Sequence, residues 1–159
     1  MKRSVVFLCI GFIMFFISAC GNEGEFAVEN ISASPLRAGE SYYIVLPLRW
    51  TGSEKAIMKS VELLEDGSPI TSESGIIYTF YAGDKDKKTG VYRREEIGSV
   101  EKVEGFEIGD EGTLVMETIM TDVKPNEKQK LRIHYTVNGQ EREQIVSSGT
   151  VENLETSTR

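Results

Sequence analysis

Alternation with a period of two is the feature that most constrains this chain. Between Ser41 and Trp50, the residues Tyr42, Ile44, Leu46, Leu48 and Trp50 fall at every second position. An extended backbone places all five on one face, whereas a helix would scatter them around its circumference. The spacing recurs in Ile76, Tyr78 and Phe80, in Leu114, Met116, Thr118 and Met120, and in Leu131, Ile133, Tyr135 and Val137. Arg132, His134 and Thr136 occupy the opposite face of that last run. Asn138-Gly139 then leads into Gln140 to Val146. Two residues that tolerate positive φ between two runs of this kind predict a type I′ hairpin. Phe26 to Ile31 reads as a first strand. Pro47 has no N–H to give to a ladder, so it predicts a sheet edge or a bulge.

The segment from 53 to 65 reads two ways. Thr51 and Glu54 resemble a capping box, and Ile57, Val61 and Leu64 would share a helical face. Val61 to Glu65, however, runs into Asp66-Gly67 and Ser68-Pro69-Ile70, and that turn signal favours a strand. Val91 to Gly109 is charged and broken by glycines, with room for two short strands. Residues 154–159 read as a polar, frayed tail. Seven to nine short strands, without heptads and without a strand–helix rhythm, predict an all-β fold. The expected form is an antiparallel β-sandwich over residues 26–153, immunoglobulin-like by pattern alone, because the Cys-Trp-Cys hallmark is absent. The bend at Val123-Lys124-Pro125 marks a crossover between sheets.

The first twenty residues belong to something else. Met1, Lys2 and Arg3 precede an apolar run from Val5 to Ile17, no acidic residue appears before Glu23, and Ser18, Ala19 and Cys20 follow the run. These are the basic, apolar and small-residue regions of a secretory signal peptide. The run makes about 20 Å of helix, short of the ~30 Å hydrocarbon core of a bilayer. The positive end stays cytoplasmic and the rest of the chain is exported.

Ile17-Ser18-Ala19-Cys20 resembles a lipobox, the processing site of bacterial membrane lipoproteins. The resemblance covers residues 1–20 only. It implies a signal peptide over 1–19, transfer of diacylglycerol to the Cys20 sulfur, and cleavage between Ala19 and Cys20. Two acyl chains, at about 0.8 kcal/mol per buried methylene, hold a protein on a membrane where one is marginal. Residues 20–25 then form a lipidated N-terminus and a short tether, Gly21-Asn22-Glu23-Gly24-Glu25. Cys9 departs with the leader, leaving no thiol pair for a disulfide. Loss of Lys2 and Arg3 takes the formal net charge from -7 to -9.

Chemistry is sparse in the rest. Overall acidity argues against a nucleic-acid partner, and Arg93-Arg94 is too short a basic patch to reverse that. His134, the only histidine, sits on the polar face of its strand, and no G-x-S-x-G elbow accompanies it. It reads as a surface residue. A zinc site wants three or four nitrogen or sulfur ligands. Asp84, Asp86 and Glu95 echo a calcium loop, but Lys88 and Thr89 stand where a ligand and a glycine belong. No metal and no cofactor is expected. Glu95, Glu96, Glu101, Glu104, Glu107, Asp110 and Glu111 cluster in sequence and read as a solvated surface. Tyr43 and Tyr81, on the faces turned from the core, could make an exposed, adhesive patch, but core packing with scattered surface aromatics is the favoured reading.

These readings converge on a lipid-anchored, extracytoplasmic protein of a bacterial cell membrane. It is held there through acylated Cys20 and acts as a non-enzymatic binding module for an envelope protein or polymer. The alternative is an envelope enzyme or solute-binding protein with a carboxylate-lined cleft, which requires a deep pocket.

Overall fold

The computed structural model describes residues 23–157. Ala19, Cys20 and the 1–19 leader lie outside the described residues. In chain order the strands are β1 (Phe26–Val28), β2 (Leu36–Arg37), β3 (Ser41–Trp50), β4 (Ala56–Glu65), β5 (Ser68–Pro69), β6 (Ile76–Gly83) and β7 (Gly90–Tyr92). They continue as β8 (Glu101–Lys102), β9 (Glu107–Ile108), β10 (Glu111–Met120), β11 (Gln129–Val137), β12 (Gln140–Val146) and β13 (Thr156–Ser157). A 3₁₀ turn covers Ser72–Ser74, and one short helix, α1, covers Gly149–Glu152. The segment left open between helix and strand is a strand: β4 spans Ala56–Glu65.

Two antiparallel sheets face each other. One runs β1-β3-β10-β6-β8, with β7 also on β3; the other runs β12-β11-β4-β5, with β9 also on β4. The orders β1-β3-β10-β6 and β12-β11-β4 are the A-B-E-D and G-F-C orders of an immunoglobulin constant-type sandwich. The chain passes from β10 to β11, and so between sheets, at the 121–128 bend. Asn138 and Gly139 hold φ of 51° and 76° between Val137 and Gln140, and Asp66 and Gly67 hold 50° and 81° before β5. Both are the double positive-φ turn that twists as the flanking strands do.

The alternating residues fill the interior. Ile44, Leu46 and Leu48 of β3, Leu114 and Met116 of β10, Met58 and Leu63 of β4, and Leu131 and Ile133 of β11 are almost fully buried in one cluster. Truncating one such side chain to alanine costs about 2–5 kcal/mol. At one end Phe26, Trp50 and Tyr135 join the sheets, with ring centroids 4.7 to 5.4 Å apart. No disulfide pins the layers there; aromatic packing does. The Trp50 indole N–H donates to the Glu54 carbonyl at 2.7 Å.

Two readings change. The tail is not frayed over its described part: Leu154 and Thr156 are buried, and β13 pairs in parallel with β2. The Thr156 backbone N–H donates to Val123 O, and the Val123 N–H donates to the Thr156 hydroxyl. The polar composition of 154–159 hid a strand because most of its hydrogen bonding is backbone to backbone. The second change concerns the tether, whose residues 23–25 are fixed. Gly24 lies on the Trp50 ring, where a Cβ would meet ring atoms at 2.4 Å. Its φ of 73° also favours glycine. The Glu25 N–H donates to the Thr51 hydroxyl, and Glu23 pairs with Arg142 at 3.0 Å.

Pro47 illustrates how an edge signal sits inside a sheet. β10 pairs with the whole of β3 on one side. On the other side β1 covers Leu48 to Trp50 and β7 covers Tyr43 to Val45. The Pro47 carbonyl accepts from Glu29 on that divided side, so its missing N–H faces the gap between two short strands.

Gln144 closes the seam between the sheets. It lies opposite inward-facing Ile133, and its amide accepts from Phe26 N–H at 2.7 Å and donates to Phe26 O at 2.9 Å. One side chain thereby supplies a ladder rung between β1 and β12. Gln144→Ala is expected to lower stability by about 1–3 kcal/mol, since both Phe26 groups lose their partner. Gln144→Glu should fall between wild type and alanine, because it accepts but cannot donate. Urea unfolding midpoints check the order.

Candidate interaction surface

The segment between β6 and β10 forms a belt. It leaves β6 at Gly83, reaches the outer edge of β3 as β7, and arrives at the outer edge of β6 as β8. Between those edges, residues 93–100 cross the outside of the first sheet. The belt then continues to the other sheet, where Phe106 O accepts from Met58 N–H and β9 pairs with Ala56 and Ile57.

Beneath the crossing lies a second apolar cluster. Ile97 packs on Tyr43, Val45 and Val115, with Tyr81, Tyr92 and Val100 around them. The exposed patch offered as the lesser reading of Tyr43 and Tyr81 is therefore absent, and the favoured reading, packed aromatics, holds. Tyr43 and Tyr81 do share the outer face, but Tyr43 is only 4% exposed and Tyr81 is half-buried. The missed signal is the unbroken run Tyr42-Tyr43-Ile44-Val45-Leu46, because a strand covered on both faces loses its alternation.

Polar groups fasten the belt. Glu117 receives the Tyr43 hydroxyl at 2.6 Å and the Tyr81 hydroxyl at 3.1 Å. Burial first, then the hydrogen bond to Glu117, push the Tyr43 phenol up to about 12. For Tyr81 the Glu117 hydrogen bond is the larger cause of an upward shift. Arg94 lies 5.6 Å above the Tyr43 ring. Arg93 stacks 4.1 Å above Tyr42, pairs with Glu40 and donates to Ser41 O at 3.3 Å. That hydrogen bond from Arg93 holds the Glu40 carboxyl below its ordinary range. Lys87 donates to Ile97 O at 2.9 Å and ties two limbs of the belt together. The Arg93-Arg94 pair is thus spent on the protein itself.

The remaining candidates stay apart. His134 is half-buried on the outside of the second sheet, 3.6 Å from Glu62 and 3.7 Å from Glu143. Asp84 accepts the Asp86 backbone N–H at 3.0 Å, which makes a local turn. Among the described residues no group of three or more His, Cys, Asp or Glu is placed to hold a metal ion. Of the acidic run, Glu107 pairs with Lys55 and Asp110 accepts the Glu111 backbone N–H. Glu101 and Glu104 are exposed, on and just past the β6 edge. An open hollow of about 580 Å³ beside Pro125 and Glu127 contains Lys130 and Glu152, which pair with each other. A smaller one, about 160 Å³, contains the Arg49–Glu29 pair. Among the described residues no helix is long and apolar enough to cross a membrane.

No family model and no curated protein matches the sequence. Among solved structures the chain is similar to the ASH/PapD-like domain of human CEP192 (PapD-like domain 7). The likeness covers 99% of this chain and 98% of that one, at 10% identity and a TM-score of 0.32, and carries no argument about function.

Two outcomes follow for the belt. Arg93→Ala should speed proteolytic cleavage within residues 84–102 while the sandwich core stays folded by circular dichroism. The Tyr43 phenol should ionise near pH 12 in a native ultraviolet titration. Its raised value means that the fold favours the neutral phenol. That stabilisation is whole below pH 10 and is lost as pH rises through 12.

Proposed function

We propose that this protein is a lipid-anchored bacterial lipoprotein on the extracytoplasmic face of the cell membrane, acting as a non-enzymatic interaction module. The observation that carries the anchoring is Ile17-Ser18-Ala19-Cys20, placed directly after a basic start and a short apolar run. The fixed path of residues 23–25 supports it. Only Gly21 and Asn22 separate Cys20 from Glu23, a reach of about 10 Å for three extended links. The end of the sandwich that carries Phe26, Trp50 and the Asn138-Gly139 turn is therefore the end nearest the bilayer.

Charge at that end supports a domain that stands on the membrane without sinking into it. Residues 23–25, 51–55 and 107–111 gather there with six carboxylates and one lysine. Anionic headgroups repel such a surface over about a Debye length, roughly 8 Å at physiological salt. The module reading draws on the architecture: a sandwich presents sheet edges and faces, and its hydrogen-bonded polar clusters fasten the belt to the sheet. The enzyme alternative needs carboxylates converging in a cleft. In the two hollows described above, Glu29 and Glu152 are each paired with a basic neighbour, while Glu111 and Glu127 line the open rims beside them.

Intact mass of the membrane-extracted protein tests the anchor. The expected product begins at Cys20 and carries acyl chains. Cys20→Ser should leave an unacylated chain with its leader uncleaved. An unmodified Cys20 thiol in the wild-type protein would overturn the proposal.

A further inference from the structure

The two large sheets end in strand edges that are protected to very different degrees. The outer edge of β3 is shared by β1 and β7. The outer edge of β4 is met by β9 and β5, and between them Met58 bonds with Gly105 and Phe106 while Leu63 bonds with Ile70 and the Tyr78 hydroxyl. The β12 edge carries Glu141, Arg142 and Glu143, and Gln144 ties it to Phe26. Inserted charges and covering segments are how soluble sheets keep an edge from pairing with foreign strands.

The β6 edge has neither device over most of its length. β8 pairs only with Tyr81 and Ala82. Among the described residues no strand pairs with Ile76 to Phe80 on that side. The sequence there, Ile76-Ile77-Tyr78-Thr79-Phe80, holds no charge and no proline and consists wholly of strand-favouring residues. Ile77 is 59% exposed, and its cross-strand neighbour Ile119 is 37% exposed. The belt crosses the outer face over Val45, Val115 and Tyr81 and stops short of this pair.

We propose that the β6 edge from Ile76 to Phe80 is a docking site for an extended segment of a partner protein. The segment adds as a strand, and its apolar side chains cover Ile77 and Ile119. A row of unpaired backbone groups is satisfied by another extended backbone, so the edge dictates the class of ligand. A second copy of this chain does not fit, an exclusion that rests on the membrane anchor proposed above. β6 runs toward the end that carries Glu23, since Gly83 pairs with Thr113 and Glu111 with Arg49. An antiparallel β6–β6 pair would invert one copy and send its anchor away from the shared bilayer. A parallel pair needs the strands offset by one residue, which breaks two-fold symmetry.

The test uses the full-length protein extracted in detergent, with amide hydrogen exchange read by mass spectrometry. The probe is a peptide of alternating threonine and valine with a lysine at each end; the control has proline at every second position. The probe should slow exchange across Ile76–Phe80 by about tenfold, and the control should leave it unchanged. Ile77→Lys should abolish that slowing at an unchanged melting temperature, and Thr79→Lys should act in the same way. Slowing confined to β12, equal slowing by the proline peptide, or none would overturn the proposal. Concentration-dependent protection of Ile76–Phe80 without peptide, together with a dimer mass by sedimentation, would overturn it in favour of a second copy. Intact mass of the same sample reads Cys20 separately: an unmodified thiol would sink the anchor reading, while peptide binding is judged by exchange alone.

Discussion

Burial of β3 on both faces is the constraint on which the rest of this structure hangs. Its inward residues, Ile44, Leu46 and Leu48, meet the second sheet, and its outward residues, Tyr43 and Val45, meet Ile97 of the belt. A sandwich strand ordinarily faces water on one side. Here the 84–110 connection wraps that side, and in doing so it supplies the strands that protect the edges of β3 and β4. It leaves part of β6 bare. The belt thus decides both what is hidden and what is offered.

Near the end that carries Trp50 the structure is fastened by unlike means. Phe26, Trp50 and Tyr135 pack across the gap between sheets, and Gly24 lies flat on the indole. Gln144 adds a ladder rung where no strand can reach. Each device holds the first described residues against the sandwich. A lipid at Cys20 would consequently orient the whole domain, because little free chain remains to let it swivel.

β3, β6, β10 and β11 were legible because their side chains alternate, and the Asn138-Gly139 hairpin was legible because its turn needs two positive φ values; β4, without a clean alternation, read two ways. The Val123–Pro125 bend does carry the chain between sheets. What covers Tyr43 and Tyr81 was not legible, because alternation says which face a residue occupies and is silent on what covers that face. Glu117 stayed invisible for a related reason. It meets Tyr43 and Tyr81 only through strand register, 74 and 36 residues away along the chain. The tail misled because Thr156 is held through the backbone and hydroxyl of Val123 and Thr156, which composition does not record.

By itself the sequence determined the all-β sandwich and its principal turns, since each of these rests on residues close together along the chain; the proposed processing signal at Cys20 is local in the same way. Tertiary structure alone decided that residues 84–110 cross the outer face of the first sheet and reach the edge of β4, that residues 23–25 are pinned, and that Ile76–Phe80 is the edge left open. The physical reason is common to all three. They depend on which distant segments come to lie beside one another, and that is set by strand order and register across the whole sandwich.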